Sequence, residues 1–190
     1  MDLNALLGTV LSEDGVGGVS RAASVSGDQT RSVLTSALPL LLGGALNQST
    51  SSSTAAGFAG ALSQHSAGNT SNLGAFFSNV DTDDGAKIVE HLLGSNSGAV
   101  MSQIAQDSGV SQKDVKKVLA SAAPLLMSLL GKEAQNQQAA NSSLGVADIM
   151  GSLMGGSNAS NMLMGLLGGG QSQQSGSASP LMGILGSLLK

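Results

Sequence analysis

Between Met101 and Gly131 the chain reads MSQIAQDSGVSQKDVKKVLASAAPLLMSLLG, and the spacing of its polar residues suits contact with a nucleic acid. Ile104-Ala105, Gly109-Val110, Val115 and Val118 fall where a DNA-binding helix-turn-helix places its small, turning and apolar residues. Ala105 would let two helices approach, Gly109 would supply a left-handed turn, and the three valines would fill the space behind it. Ser111, Gln112, Lys113, Lys116 and Lys117 would then face a major groove, the amide toward bases and the lysines toward phosphates. Three features weigh the other way. Ser108 occupies a slot that usually takes an apolar residue; an earlier copy of the segment keeps only Arg31 of the lysine face; and Lys113, Lys116, Lys117 and Lys132 are nearly offset by Asp107, Asp114 and Glu133. Turns of this shape also serve as plain structural corners, so a structural hairpin is the first reading and DNA binding the second.

Other candidate chemistry is thinner. Asp81, Asp83 and Asp84 before Gly85 resemble the opening of a calcium loop, yet a twelve-residue loop from Asp81 would end at Leu92 and lack its bidentate glutamate. Helix capping by Asp83 or Asp84 is the better account. His91 lies one turn past Lys87, and His65 stands in a polar stretch; both read as surface or packing histidines. The chain has no cysteine, and it shows no phosphate-binding Gly-rich loop, nucleophile elbow or zinc-ligand spacing. We therefore expect no catalytic residue, no metal and no cofactor, and a protein that is not an enzyme. A net charge of −4 gives no general attraction to a polyanion.

The elements that would position these residues are helices. Val115, Val118, Leu119, Ala122, Leu125, Leu126 and Leu129 recur at three and four, one apolar stripe of a long helix. From Ala120 to Leu130 that helix carries no charge, so its second half should be buried, and Pro124 predicts a kink or break near Ser121. An offset of 85 residues sets Pro39 over Pro124 and matches Val25-Ser26, Val33-Leu34, Ser36-Ala37 and Leu40-Leu41 with their later counterparts. That register implies an internal duplication of a helical unit. Leu3 to Leu11 predicts a short helix, and Ser26 or Asp28 should cap the one carrying Pro39. Asp81 to Gly94 predicts another, closed by Gly94.

The organisation expected is a first helical unit at 1–48, a weakly ordered connector at 49–80, a second unit at 81–131, and a low-complexity tail at 132–190 with short marginal helices. Five of the eight methionines, Met150, Met154, Met162, Met164 and Met182, lie in that tail, whose Gly-interrupted apolar pieces need a surface to pack against. The acidic start at Asp2 does not read as a secretory signal, and no apolar run approaches the roughly 20 residues of a membrane span. A cytoplasmic protein is expected.

Ala37 to Leu42, Asp84 to Gly94, Gly109 to Ser111 and Ala122 to Leu126, together with the Gly/Leu/Met-rich tail, resemble a bacterial domain-of-unknown-function family, DUF937, similar to the YidB-like proteins. The resemblance covers about residues 3 to 131 and implies an all-α fold with a duplicated unit; it carries over no activity. The expected role is a non-enzymatic helical interaction or scaffold protein that forms homo-oligomers through its tail, with DNA binding through 101–119 as the alternative.

Overall fold

The computed structural model describes residues 3–140 and 145–155, and among them every regular element is a helix. In order these are α1 (Leu3–Val10), α2 (Glu13–Ala23), α3 (Gly27–Thr50), α4 (Ala55–His65), α5 (Leu73–Ser78), α6 (Thr82–Leu93), a single 3₁₀ turn (Gly94–Asn96), α7 (Ser97–Ser108), α8 (Gln112–Ala140) and α9 (Val146–Gly155). The all-α class read from the periodicity is the observed one.

Short polar side chains start the helices where the chain turns. Ser12, Ser26 and Ser111 accept the backbone N–H groups of Gly15, Gln29 and Asp114. Each satisfies a donor that has no partner inside its own helix. Helix α6 is capped by Asp81 and not by Asp83 or Asp84: the Asp81 carboxylate accepts the N–H of both, at 2.9 and 3.0 Å. Its extended backbone holds the carboxylate over the helix end, while the other two acids sit inside the first turn. Gly94, at φ 62°, closes the helix as the sequence predicts.

Helix α8 is the centre. Every residue from Val118 to Gly131 is buried, so this part of the helix has no solvent face. α1, α2, α4, α6 and α7 all pack on it. Of the kink or break expected near Ser121 the break is absent, the helix running on through it. Pro124 cannot donate to the Ala120 carbonyl, and α6 closes over that carbonyl with Gly85, whose missing side chain leaves just the room required. A Cβ at Gly85 would collide with the Ala120 carbonyl and crowd the Pro124 ring. Tertiary packing thus offsets the cost of a proline in a helix interior.

Two corners of the fold have the same hydrogen bonds. Ser24 after α2 and Gly109 after α7 are both left-handed, at φ 55° and 67°. Val25 donates to the Ser20 carbonyl at 3.1 Å and Val110 donates to the Ala105 carbonyl at 3.2 Å, at the register of the 85-residue offset. In both, the apolar residue after the turn is buried, which is the usual end of a helix closed by a left-handed residue. α2 packs on α8, and α7 packs on α3. The proline positions differ: Pro124 is buried under α6, whereas Pro39 is exposed beside Leu40.

Residues 49–80, read from sequence as a weakly ordered connector, contain α4 and α5. Phe58, Leu62 and Phe77 are buried there, and the Phe77 ring lies on Gly18 of α2. Helix α8 continues past Gly131 to Ala140, with Glu133 and Ala134 buried. The first apolar piece of the tail is α9, which packs on α3 with Ile149 and Met150 buried. The expectations for Met162, Met164 and Met182 lie outside the described residues. No helix among the described residues is long and apolar enough to cross a membrane.

Two glycine substitutions test this packing. Gly85→Ala should destabilise the protein by about 1–3 kcal/mol or more, because neither the backbone carbonyl nor the proline can give way. Gly17→Ala, in α2 with open space around it, should stabilise by up to about 1 kcal/mol. Urea unfolding midpoints of the two variants check both signs.

Candidate functional site

The sequence-predicted nucleic-acid residues do gather at one end of α8. Ser111, Gln112, Lys113 and Lys116 are exposed and Lys117 is half-buried. Several of them already have work within the corner. The Ser111 hydroxyl accepts the Asp114 N–H at 3.2 Å and donates to the Asp114 carboxylate at 2.8 Å. Lys117 Nζ meets the same carboxylate at 3.1 Å, and the Gln112 amide donates to the Gly98 carbonyl at 3.3 Å. The Ser111 hydroxyl, followed by Lys117, holds the Asp114 carboxyl below its ordinary value. Ser108, the polar residue in an apolar slot, donates to the Ile104 carbonyl at 2.6 Å and accepts the Ser32 hydroxyl at 3.2 Å through its own carbonyl. The geometry is that of a helix-turn-helix corner, and its polar side chains largely satisfy one another.

A second place collects titratable groups that the sequence reading had set apart. The end of α3, the start and face of α4, and the outer face of α6 enclose a cleft of about 500 Å³. Phe58 and Ala61 of α4, Ile88 and Leu92 of α6, and Met127 of α8 give it an apolar lining. Around these stand Gln48, Gln64, His65, Asp84, Lys87 and His91.

Each polar group at the rim is placed by a helix end. His65 lies in the last turn of α4 and Asp84 in the first turn of α6. The His65 Nε2 and the Asp84 carboxylate are 3.5 Å apart, so the two ends are drawn together. Along α6, Asp84, Lys87 and His91 follow at intervals of three and four and therefore share one face. His91 Nδ1 lies 2.9 Å from the Lys87 carbonyl, and the Gln48 amide donates to the His91 carbonyl at 2.6 Å, which ties α3 to α6. With Nδ1 donating to that carbonyl, His91 keeps Nε2 as an acceptor.

The stripe of Asp84, Lys87 and His91 is legible in the sequence as a helical repeat. His65 is not, because it comes from a helix about one turn of polar chain away from any strong pattern, and only the fold brings it across. Among the described residues no group of three or more histidines and carboxylates is arranged to hold a metal ion. Asp81 and Asp83 do not converge with Asp84 on a cation; Asp81 spends its carboxylate on the cap.

A family model described as a bacterial protein of unknown function (DUF937) matches residues 5–133, which include every residue of the cleft and of the α7–α8 corner. No curated protein and no solved structure matches the chain.

The Asp81 cap sets the start of α6 and with it the cleft. Its carboxyl is held below the ordinary 3.8 by the Asp84 N–H first, against a desolvation that raises it, with the Asp83 N–H and the positive charge of Lys87 adding smaller lowering effects. A carboxyl with a lower pKa folded than unfolded contributes fully above its unfolded value and loses that contribution as pH falls through the folded one. Asp81→Asn keeps a capping oxygen but not the charge, so it should unfold at a somewhat lower urea concentration than wild type at neutral pH and lose less stability than wild type on acidification to about pH 3. Urea titrations of both proteins at the two pH values check this.

Proposed function

We propose the following role for the chain, which belongs to the bacterial DUF937 family of unknown function: it is a non-enzymatic helical interaction protein of the cytoplasm whose contact site is the cleft between α3, α4 and α6. One observation carries the reading. Several polar groups of the rim tie the walls together, His65 beside Asp84, His91 to the Lys87 carbonyl and Gln48 to the His91 carbonyl, and between them the cleft is lined by Phe58, Ala61, Ile88, Leu92 and Met127. An apolar concavity with a few polar groups around it is the usual form of a binding site.

A neutral apolar dye, Nile red, is the direct probe. It should bind saturably, and Ala61→Trp, which places an indole in the cleft from a partly exposed position, should weaken binding by at least about tenfold. Unchanged binding by a folded Ala61→Trp protein would remove the cleft as the site.

Self-association through residues 145–190 belongs to the same proposal. Its support is compositional: the sequence after Gly155 repeats Gly-interrupted Met/Leu pieces like that of α9, and α9 itself docks Ile149 and Met150 within the chain. Light scattering across a tenfold or so range of concentration should show the full chain growing and a chain ending at Gly155 remaining monomeric.

DNA binding is a second reading, favoured by the left-handed Gly109 corner and the exposed Lys113 and Lys116 beside it. If Lys113, Lys116 and Lys117 each neutralise a phosphate, the logarithm of the binding constant should fall with that of salt at a slope of about −2.7, and alanine at all three should abolish retardation of duplex DNA. No retardation at low salt would end that reading. We also propose that the two matching corners descend from one duplicated unit, the later copy having kept the lysine face.

A further inference from the structure

The internal repeat allows one face of α3 to be compared with its counterpart on α8. At the offset of 85 residues, Pro39-Leu40 of α3 stands where α8 has Pro124-Leu125. On α8 this place is buried, and α6 crosses it with Gly85 seated on the Ala120 carbonyl and against the Pro124 ring. On α3 the matching place is uncovered. Thr35, Pro39 and Leu40 are exposed, and Leu40, at 41%, is the large apolar side chain left in solvent among the described residues. Gly43, one turn further on, has open space where a side chain would stand, so the backbone of another segment can approach closely there. We propose that this face of α3 receives residues 181–189 of a second copy of the chain; this rests on self-association through residues 145–190 and names the surface that takes the tail.

Three observations choose the occupant. α9, the first apolar piece of the tail, packs on α3, so this helix already serves the tail as a surface. In residues 181–189, Leu181, Ile184, Leu185, Leu188 and Leu189 recur at three and four, the longest such stripe after Gly155, and Ser179-Pro180 before it is a helix-start signal. A run this short, interrupted by Gly183 and Gly186, needs a surface to pack on. The two surfaces also match in charge, since the sequence has no Lys, Arg, Asp or Glu between Arg31 and Asp81 and none between Asp148 and Lys190. Their contact is therefore apolar, with Leu40 and the stripe's leucines leaving water together.

Light scattering and disulfide cross-linking of the full chain test the assignment. Leu40→Lys and Gly43→Gln should each keep the full chain monomeric at concentrations about tenfold above those at which wild type grows. Leu40 is exposed and Gly43 has open space, so both variants are expected to fold, and urea midpoints check that they do. The chain has no cysteine, so a Leu40→Cys protein mixed with a Met182→Cys protein should form a mixed disulfide at least about tenfold faster than a Lys116→Cys protein mixed with the same partner. Growth of either folded variant at wild-type concentrations, with a chain ending at Gly155 still monomeric, overturns this face and spares self-association through the tail. A full chain that never grows overturns both. A mixed disulfide no faster than the Lys116→Cys control overturns the proposal, as does a Leu40→Cys/Met182→Cys protein that closes only within one chain, which gives the face to the molecule's own tail.

Discussion

A helix that is buried on every side has to be enclosed by its neighbours, and the run from Val118 to Gly131 in α8 imposes that requirement on the rest of the chain. An apolar surface of this kind is favourable only when other helices cover it at about 25 cal/mol per Å² of area removed from water. Close cover is possible because small residues mark the crossings. Gly85 lets α6 lie on the Ala120 carbonyl, and Gly131 lets α4 lie with its Leu62 carbonyl against α8. Proline inside a buried helix would normally leave an orphaned carbonyl as a weak point. Here the carbonyl is enclosed by a glycine Cα and a proline ring, in a contact that a larger residue would forbid.

The cleft follows from the same arrangement. α4 and α6 both pack on α8, and the buried Met127 of α8 lies at the bottom of the space between them. Their ends are joined by His65 and Asp84 at one side, and Gln48 joins α3 to α6 at the other. The rim contacts are modest individually, since exposed or half-exposed pairs contribute at most about 1 kcal/mol each. Their role is positional: they hold the walls apart at helix ends that α8 has already brought close.

How much of this could be read from sequence depended on whether a feature was local. The chargeless stretch from Ala120 to Leu130 announced a buried helix, and the shared register around Pro39 and Pro124 announced two similar corners. The left-handed Gly109 was legible from its residue type; Ser24 in the matching conformation was not, because a serine is chosen there against its own preference. Residues 49–80 looked weak because their glycines, serines and asparagines form poor helices alone. Burial of Phe58, Leu62 and Phe77 supplies what propensity does not. Pro124 pointed to a kink or break because local rules cannot anticipate Gly85, 39 residues earlier in the chain, lying on the freed carbonyl. At the candidate site, Asp84, Lys87 and His91 share a helical face and could have been grouped; His65 joins them only through the packing of α4 on α8.

The central claim is that α4, α6 and α8 form one cooperative unit and that the cleft is a standing feature of it. Amide hydrogen exchange on the full chain tests this most directly. The account predicts that the amides of α8 between Val118 and Gly131 are the slowest in the molecule, and that those of α4 around Leu62 and of α6 around Val89 exchange with closely similar protection, opening together with α8. Fast exchange throughout α4 while α8 stays protected would contradict it, because one wall of the cleft would then be absent for much of the time.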